Sequence, residues 1–353
     1  METILVTGGA GFLGSWFVRR WLGAGGGRAV VLDKLTYAGS RASLASVADD
    51  PRFVFRHGDI GDGSLVAALL AEFQPLAIVN FAAETHVDRS IDAPSPFVST
   101  NVVGTWQLLD ESLRYWRRLA PLQQQAFRFL HISTDEVFGP IDAPDRATEA
   151  SPYRPSSPYA ASKAAADHFV RSYNRTYGLP TLLVHPSNNY GPFQFPEKLI
   201  PLVILNAAEG KPLPIYGDGR QSRDWLCGED LCRAIDAVLK QGKPGESFNV
   251  ASGVERTNEE LIRQICRLVD RHRPGQPRAP SANLIAHVAD RPGHDTRYAL
   301  DTTKIRHLGW SPRVELATGL DETVRWYLEN RAWVADATTK FDRTRRLGTG
   351  ESR

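Results

Sequence analysis

The chain has 353 residues, 42% hydrophobic and 23% charged, values that exclude intrinsic disorder and fibrous classes. Forty-two Lys and Arg against forty Asp and Glu leave a formal charge of +2, too little to make nucleic acid or an anionic membrane the default partner. The three cysteines, Cys227, Cys232 and Cys266, form no Cys-x-x-Cys pair, which argues against a disulfide framework or a cysteine-based zinc site. No apolar run approaches the ~18 residues of a membrane span, and the first residues run straight into an apolar strand, so a cytoplasmic protein is expected.

In chain order, short apolar, β-branched runs at 4–6, 29–32, 53–55, 77–81, 129–132 and 181–184 alternate with helical patterns. That alternation predicts an α/β fold of the Rossmann type, a doubly wound parallel sheet with strands buried on both faces. Two long helices are predicted, over 97–118 from Val98, Val102, Trp106, Leu109 and Leu113, and over 159–177 after Ser156-Ser157-Pro158. From about Pro192 prolines punctuate the chain and strand and helix patterns intermix, predicting a smaller mixed α/β lobe. The expected division is a cofactor domain over 1–190, a substrate lobe over 191–335 and a flexible tail over 336–353.

Thr7-Gly8-Gly9-Ala10-Gly11-Phe12-Leu13-Gly14 follows the first strand and opens a helix near Phe12, the context of a dinucleotide fingerprint. Gly8 permits the turn, Gly11 the approach of a pyrophosphate and Gly14 close packing of helix on strand. Asp33, ending the second strand, is placed to accept hydrogen bonds from a ribose diol and to repel a 2'-phosphate, so NAD is favoured over NADP. Asp59, ending the third strand, is a candidate for the adenine amino group, and Phe81, Ala82 and Ala83 leave room for a cofactor beyond the fourth. His86 and Asp88 form a His-x-Asp pair with no further ligand nearby, and no metal site is expected. Ser133-Thr134-Asp135-Glu136 ends the fifth strand and delivers two adjacent carboxylates, an acid and base pair, to the same cleft. Tyr159 and Lys163, four apart on one helix face, place an ammonium where it would lower the phenol pKa and make a base.

Around these residues the chain resembles the extended short-chain dehydrogenase/reductase superfamily and, within it, the dTDP-glucose 4,6-dehydratases. The likeness runs from the Gly8 loop to about Trp333. It is carried by the segments 33–39, 83–90, 133–139, 187–192, 196–201 and 290–295, which include Ser133-Thr134-Asp135-Glu136-Val137-Phe138-Gly139 and Ser187-Asn188-Asn189-Tyr190-Gly191-Pro192. The resemblance implies NAD as a tightly held, recycled cofactor, and adds Phe12, Leu13, Lys34, Leu35, Thr36, Ile60, Thr100 and Asn189 to its contacts.

For the reaction it implies Glu136 as the base for the C5 proton and Asp135 as the acid for the C6 hydroxyl. Tyr159 would deprotonate the C4 hydroxyl, Lys163 would hold the nicotinamide ribose and Thr134 would bond the C4 oxygen. Substrate contacts are implied at Thr85, Asn188, Lys198, Leu199, Pro214, Ile215, Tyr216, Arg223, Asn258, Arg291 and His294, together with Thr134 and Glu136. A homodimer joined as a four-helix bundle through 97–118 and 159–177 is implied too. The chain departs from the family pattern with Phe138 for Tyr, Thr85 for Ser, Cys227-Gly228 for an aromatic and β-branched pair, and Leu231 for His. The last two changes are expected to touch the substrate lobe and its sugar or base preference. UDP-glucose as substrate, and a non-catalytic NAD-binding scaffold, are the alternative readings.

Overall fold

The computed structural model of the protein describes residues 2–273, 279–339 and 347–348. Its strands in chain order are β1 (Thr3–Thr7), β2 (Arg28–Asp33), β3 (Phe53–His57), β4 (Ala77–Asn80), β5 (Arg128–Ile132), β6 (Thr181–Pro186), β7 (Asn188–Tyr190), β8 (Leu213–Tyr216), β9 (Ser222–Cys227), β10 (Ser247–Val250), β11 (Glu255–Thr257) and β12 (Ile285–Val288). Seven of them form one parallel sheet in the order β10-β6-β5-β4-β1-β2-β3. Its interior strand β1 pairs Leu5 with Val30 on one side and Ile78 on the other, and every residue of β1 is buried. Helices on both faces explain this: Ile4 and Val6 pack into one apolar cluster, Leu5 and Ile78 into another. The strand order reverses between β1 and β4, which opens a crevice beyond the carboxyl ends of the strands, the usual ligand position in such sheets.

The predicted strands are present within a residue or two, with one correction of character. β3 pairs only with β2 and is half-buried rather than enclosed, because it is the sheet's edge. The helix predicted over 97–118 is not uniform. It runs as Ser95–Phe97, a π-helical stretch Val98–Gly104 and an α-helix Thr105–Trp116. The wider turn carries the buried Asn101, whose amide donates to the Glu84 carbonyl (3.0 Å) and to Ser162 Oγ (2.8 Å), tying this segment to the helix Pro158–Tyr177.

The smaller lobe is built from β11-β9-β7 and β12-β8, around an apolar core shared with helices Leu199–Glu209, Asn258–His272 and Leu316–Glu329. A single cut near residue 190 does not describe the chain, because β10 lies in the large sheet beside β6 and Leu231, Ile235 and Val238 of the helix Gly228–Gln241 pack into its core. The tail expectation is corrected at its start. Helix Arg331–Thr339 continues through Ala337, which is 3% exposed, and Trp333 Nε1 donates to Ser43 Oγ at 3.1 Å. Positions 340–346 and 349–353 of that expectation lie outside the described residues. Cys227, Cys232 and Cys266 are free and buried. Among the described residues no helix is long and apolar enough to cross a membrane.

Candidate active site

One cleft beyond the carboxyl ends of β1, β2, β4 and β5 gathers most of the residues singled out by sequence. On its cofactor side the loop after β1 is drawn against β4's exit. Gly8 adopts φ +67°, and a Cβ there would lie 2.6 Å from the Ala82 amide nitrogen; a Cβ on Gly14 would lie 2.3 Å from the Gly8 carbonyl oxygen. Neither position tolerates a side chain. Helix α1 (Phe12–Gly23) starts at Gly11 with no side chain capping its N-terminus, so its first amides are left for an anion. Asp33, 8% exposed, accepts from the amides of Ala10 and Leu35 (2.8 Å each) and still has lone pairs facing the cleft. Lys34, Thr36, Asp59, Ile60, Phe81, Ala82, Ala83, Thr100 and Asn189 line the same wall, with Lys34 paired to Asp59 at 2.6 Å. Leu35 is the exception: its side chain packs on the core of the large sheet and only its amide serves the site. These residues fit a dinucleotide.

The two carboxylates at the end of β5 differ in environment. Asp135 is 3% exposed, and burial followed by the neighbouring Glu136 raises its pKa to about 8, so it carries a proton at neutral pH. Its Oδ1 accepts from Thr134 Oγ1 at 3.2 Å, while Oδ2 is buried without a hydrogen-bond partner. Glu136 is also raised by burial, but Arg291, Arg223 and Lys198 oppose that rise and favour its charged form. The two carboxyls thus stand side by side in unequal electrostatic surroundings.

Lys163 lies below them, 2% exposed, with its pKa pushed down to about 8 by burial. Its ammonium donates to the Ile132 carbonyl at 2.7 Å and lies 3.1 Å from His131 Nε2. The expectation that Lys163 lowers the Tyr159 pKa is corrected. Burial, and then Glu136, drive that phenol upward, opposed by a hydrogen bond with Thr134. A buried polar group behind the site was not assigned from sequence: Asp167 accepts from Ser133 Oγ (2.7 Å) and Tyr153 (2.9 Å), and lies 3.2 Å from His185. Although burial would raise Asp167, its histidine and lysine neighbours hold it at about 2.

On the substrate side, Thr85, Thr134, Glu136, Asn188 and Lys198 line the cleft. Leu199, Pro214, Tyr216, Arg223, Asn258, Arg291 and His294 lie outside that wall in the smaller lobe, although Arg223 and Arg291 act on Glu136 electrostatically. Ile215 is a correction: it is 1% exposed and packs in the small-lobe core, because alternation along β8 turns Leu213 and Ile215 inward. Sequence reasoning missed Glu84, Gln194 and Glu197, which also line the cleft. Glu84 and Glu197 sit in segments already singled out, 83–90 and 196–201; Gln194 lies in a proline-rich loop with no periodic signal.

The departures resolve differently from expectation. Leu231 is fully buried in the large-sheet core, Cys227 is buried in the small-lobe core, and a Cβ on Gly228 would touch Phe12 and Trp16 at 3.6–3.7 Å. None of the three lines the cleft. Phe138 packs edge-on against Tyr153, ring centroids 5.3 Å apart, beneath the acid pair.

Known proteins resemble the chain over nearly its whole length. A model of the family described as GDP-mannose 4,6 dehydratase matches residues 5–323. The dTDP-glucose 4,6-dehydratase of Xanthomonas campestris pv. campestris (strain B100) is 52% identical over 349 residues, 99% of each chain. The dTDP-glucose 4,6-dehydratase 1 of Escherichia coli (strain K12) is 51% identical over 94% of each. The crystal structure of the dTDP-glucose 4,6-dehydratase DesIV from Streptomyces venezuelae, with NAD and TYD bound, superimposes with a TM-score of 0.86 at 47% identity, covering 95% of this chain and all of that one. The chain belongs to the sugar-nucleotide 4,6-dehydratases of that family model and, within them, to the dTDP-glucose 4,6-dehydratase family.

Proposed function

We propose that the cleft converts dTDP-glucose to dTDP-4-keto-6-deoxyglucose in three steps at one site: oxidation at C4, loss of water across C5 and C6, and reduction at C6. The observation that supports it most is the unequal carboxylate pair, a neutral Asp135 beside a Glu136 whose upward shift on burial is opposed by three cations. Bound NAD supplies the hydride acceptor for C4, the hydride donor for C6 and a positive ring that favours the Tyr159 phenolate. Gly8, Gly11, Phe12, Leu13, Gly14, Asp33 and Lys163 would hold it. Tyr159 takes the C4 hydroxyl proton, with Thr134 fixing the C4 oxygen between the phenol and Asp135. The 4-keto group makes the C5 proton acidic; Glu136 removes it as Asp135 protonates the departing C6 hydroxyl, the proton on Glu136 returns to C5, and the proton that Tyr159 took from the C4 hydroxyl restores Asp135. Lys198, Arg223 and Arg291 carry the charge for the substrate diphosphate.

The purified protein should turn dTDP-glucose into the 4-keto-6-deoxy product without added reductant, and UDP-glucose at least tenfold more slowly, on the order of 1.4 kcal/mol of discrimination. Equal rates with both sugars would remove the thymidine assignment, and recovery of unchanged sugar from folded, NAD-loaded protein would remove the reaction.

We further propose a homodimer working in the cytoplasm. Three free, buried cysteines fit a reducing compartment. Val98, Val103, Trp106, Phe169 and Tyr177 are among the large apolar side chains left exposed, and all five lie on the segments 98–116 and 158–177 that pack side by side. Light scattering should give a dimer mass, and Trp106→Glu should shift it toward the monomer; a monomeric parent protein would sink this assignment.

A further inference from the structure

The His-x-Asp pair that carried no metal reading has another role. It opens the short helix Val87–Asp92, which sits on the large lobe just beyond the cleft's Thr85. Asp88 is 5% exposed and spends both carboxylate oxygens on the smaller lobe: Arg291 Nη1 donates to Oδ1 at 2.8 Å and the Tyr216 hydroxyl to Oδ2 at 2.9 Å. Those partners lie 203 and 128 positions away in sequence. Next to it, Arg89 Nε donates to Glu197 Oε2 at 2.8 Å, so the same helix grips the loop that carries Lys198. Arg291 is the foremost of the cations acting on Glu136, and its Nε is buried without a hydrogen-bond partner. A guanidinium fixed at Nη1 keeps its Nε edge as a planar donor for a phosphate oxygen.

We propose that Asp88 is a positioning residue for sugar-nucleotide binding, fixing the guanidinium of Arg291 and the hydroxyl of Tyr216 across the lobe boundary so that they meet the nucleoside diphosphate preorganised. This rests on the reading that the small-lobe cations hold the diphosphate. Asp88 itself touches no reacting atom. An arginine left free to choose rotamers would lose side-chain entropy on binding, and that cost falls on affinity rather than on the chemical step.

The test uses NAD-loaded enzyme with Asp88→Ala, Asp88→Asn, Arg291→Ala and the double variant Asp88→Ala/Arg291→Ala. Asp88→Ala should raise both KM for dTDP-glucose and Kd for dTDP by about tenfold, with kcat changed less than about threefold. Asp88→Asn should fall between, since one amide oxygen still accepts from one partner. In the Arg291→Ala background, removing Asp88 should add clearly less than the tenfold seen alone, because only Tyr216 is then left for it to position. A lower KM in Asp88→Ala would overturn the proposal, since Asp88 would then compete with the diphosphate for Arg291. An undiminished effect in the Arg291→Ala background would overturn it too, leaving Asp88 a fold residue. Should Asp88→Ala fail to fold, Asp88→Asn carries the same comparison. If Arg291→Ala leaves the Kd for dTDP unchanged, the diphosphate reading itself fails; if Arg291→Ala weakens binding and Asp88→Ala does not, only the positioning role fails.

Discussion

Replacing Glu136 with glutamine is expected to halt the reaction after C4 oxidation, lowering turnover by roughly 10²–10⁴-fold, the range for loss of a positioned base. Glutamine keeps the length and shape of the side chain but cannot take a proton. Tyr159 and Thr134, proposed to serve the C4 hydroxyl, and Lys163, proposed to hold the cofactor, are untouched. On mixing with dTDP-glucose, reduced-nicotinamide absorbance should therefore rise by up to one equivalent per site and persist, whereas the parent enzyme returns to its starting value. The cations Arg291, Arg223 and Lys198, which oppose the upward shift of Glu136, would face a group that is always neutral, so nucleotide affinity should not fall. Product formation at the parental rate would show that another group removes the C5 proton. Failure to oxidise C4 at all would place Glu136 in the first step.

Much of this was legible in the sequence, for identifiable reasons. A parallel sheet covered on both faces favours unbroken apolar strands, so β1 and β2 read as runs of Val, Ile and Leu. The cofactor loop and the acid pair were legible because each is contiguous and ends a strand. β10 was not: Ser-Phe-Asn-Val is short and half polar, and only its pairing with β6 places it in the large sheet. The π-helical stretch was missed because Val98 and Val102 satisfy helical spacing whether or not the turn is widened. Ile215 was misplaced by resemblance although the β8 alternation puts it opposite Tyr216. The Asp88 to Arg291 bond spans 203 positions, and local pattern carries no trace of such a pairing. Lys163 was read as acting on Tyr159 because i, i+4 spacing brings the two together, but spacing could not reveal the Ile132 carbonyl that takes the ammonium.

Asp135→Asn is expected to be nearly inactive yet more stable than the parent at neutral and mildly alkaline pH. As the acid for the C6 hydroxyl, Asp135 must carry a proton, and its pKa of about 8 keeps it protonated through pH 7. Activity of the parent should fall as pH rises above about 8, and asparagine, with no acidic proton, should cost roughly 10²–10⁴-fold in kcat. The stability effect has the opposite sign. The unfolded carboxyl titrates near its ordinary value of 3.8 while the folded one holds its proton to about 8. The folded state therefore binds the extra proton between those values. Stability contributed by the neutral carboxyl is fully present below pH 3.8 and is lost as pH rises through that window, by about 1.4 kcal/mol per pH unit at most. Asparagine has no such loss, and its amide can keep the contact with Thr134 that Oδ1 makes. The difference in melting temperature, variant minus parent, should thus grow from pH 5 to pH 8 and level off beyond. A difference that is flat with pH would mean that Asp135 titrates near its ordinary value and is charged at neutral pH. The acid role would then pass to another group, with Tyr159, hydrogen-bonded to Thr134 beside it, the first to examine.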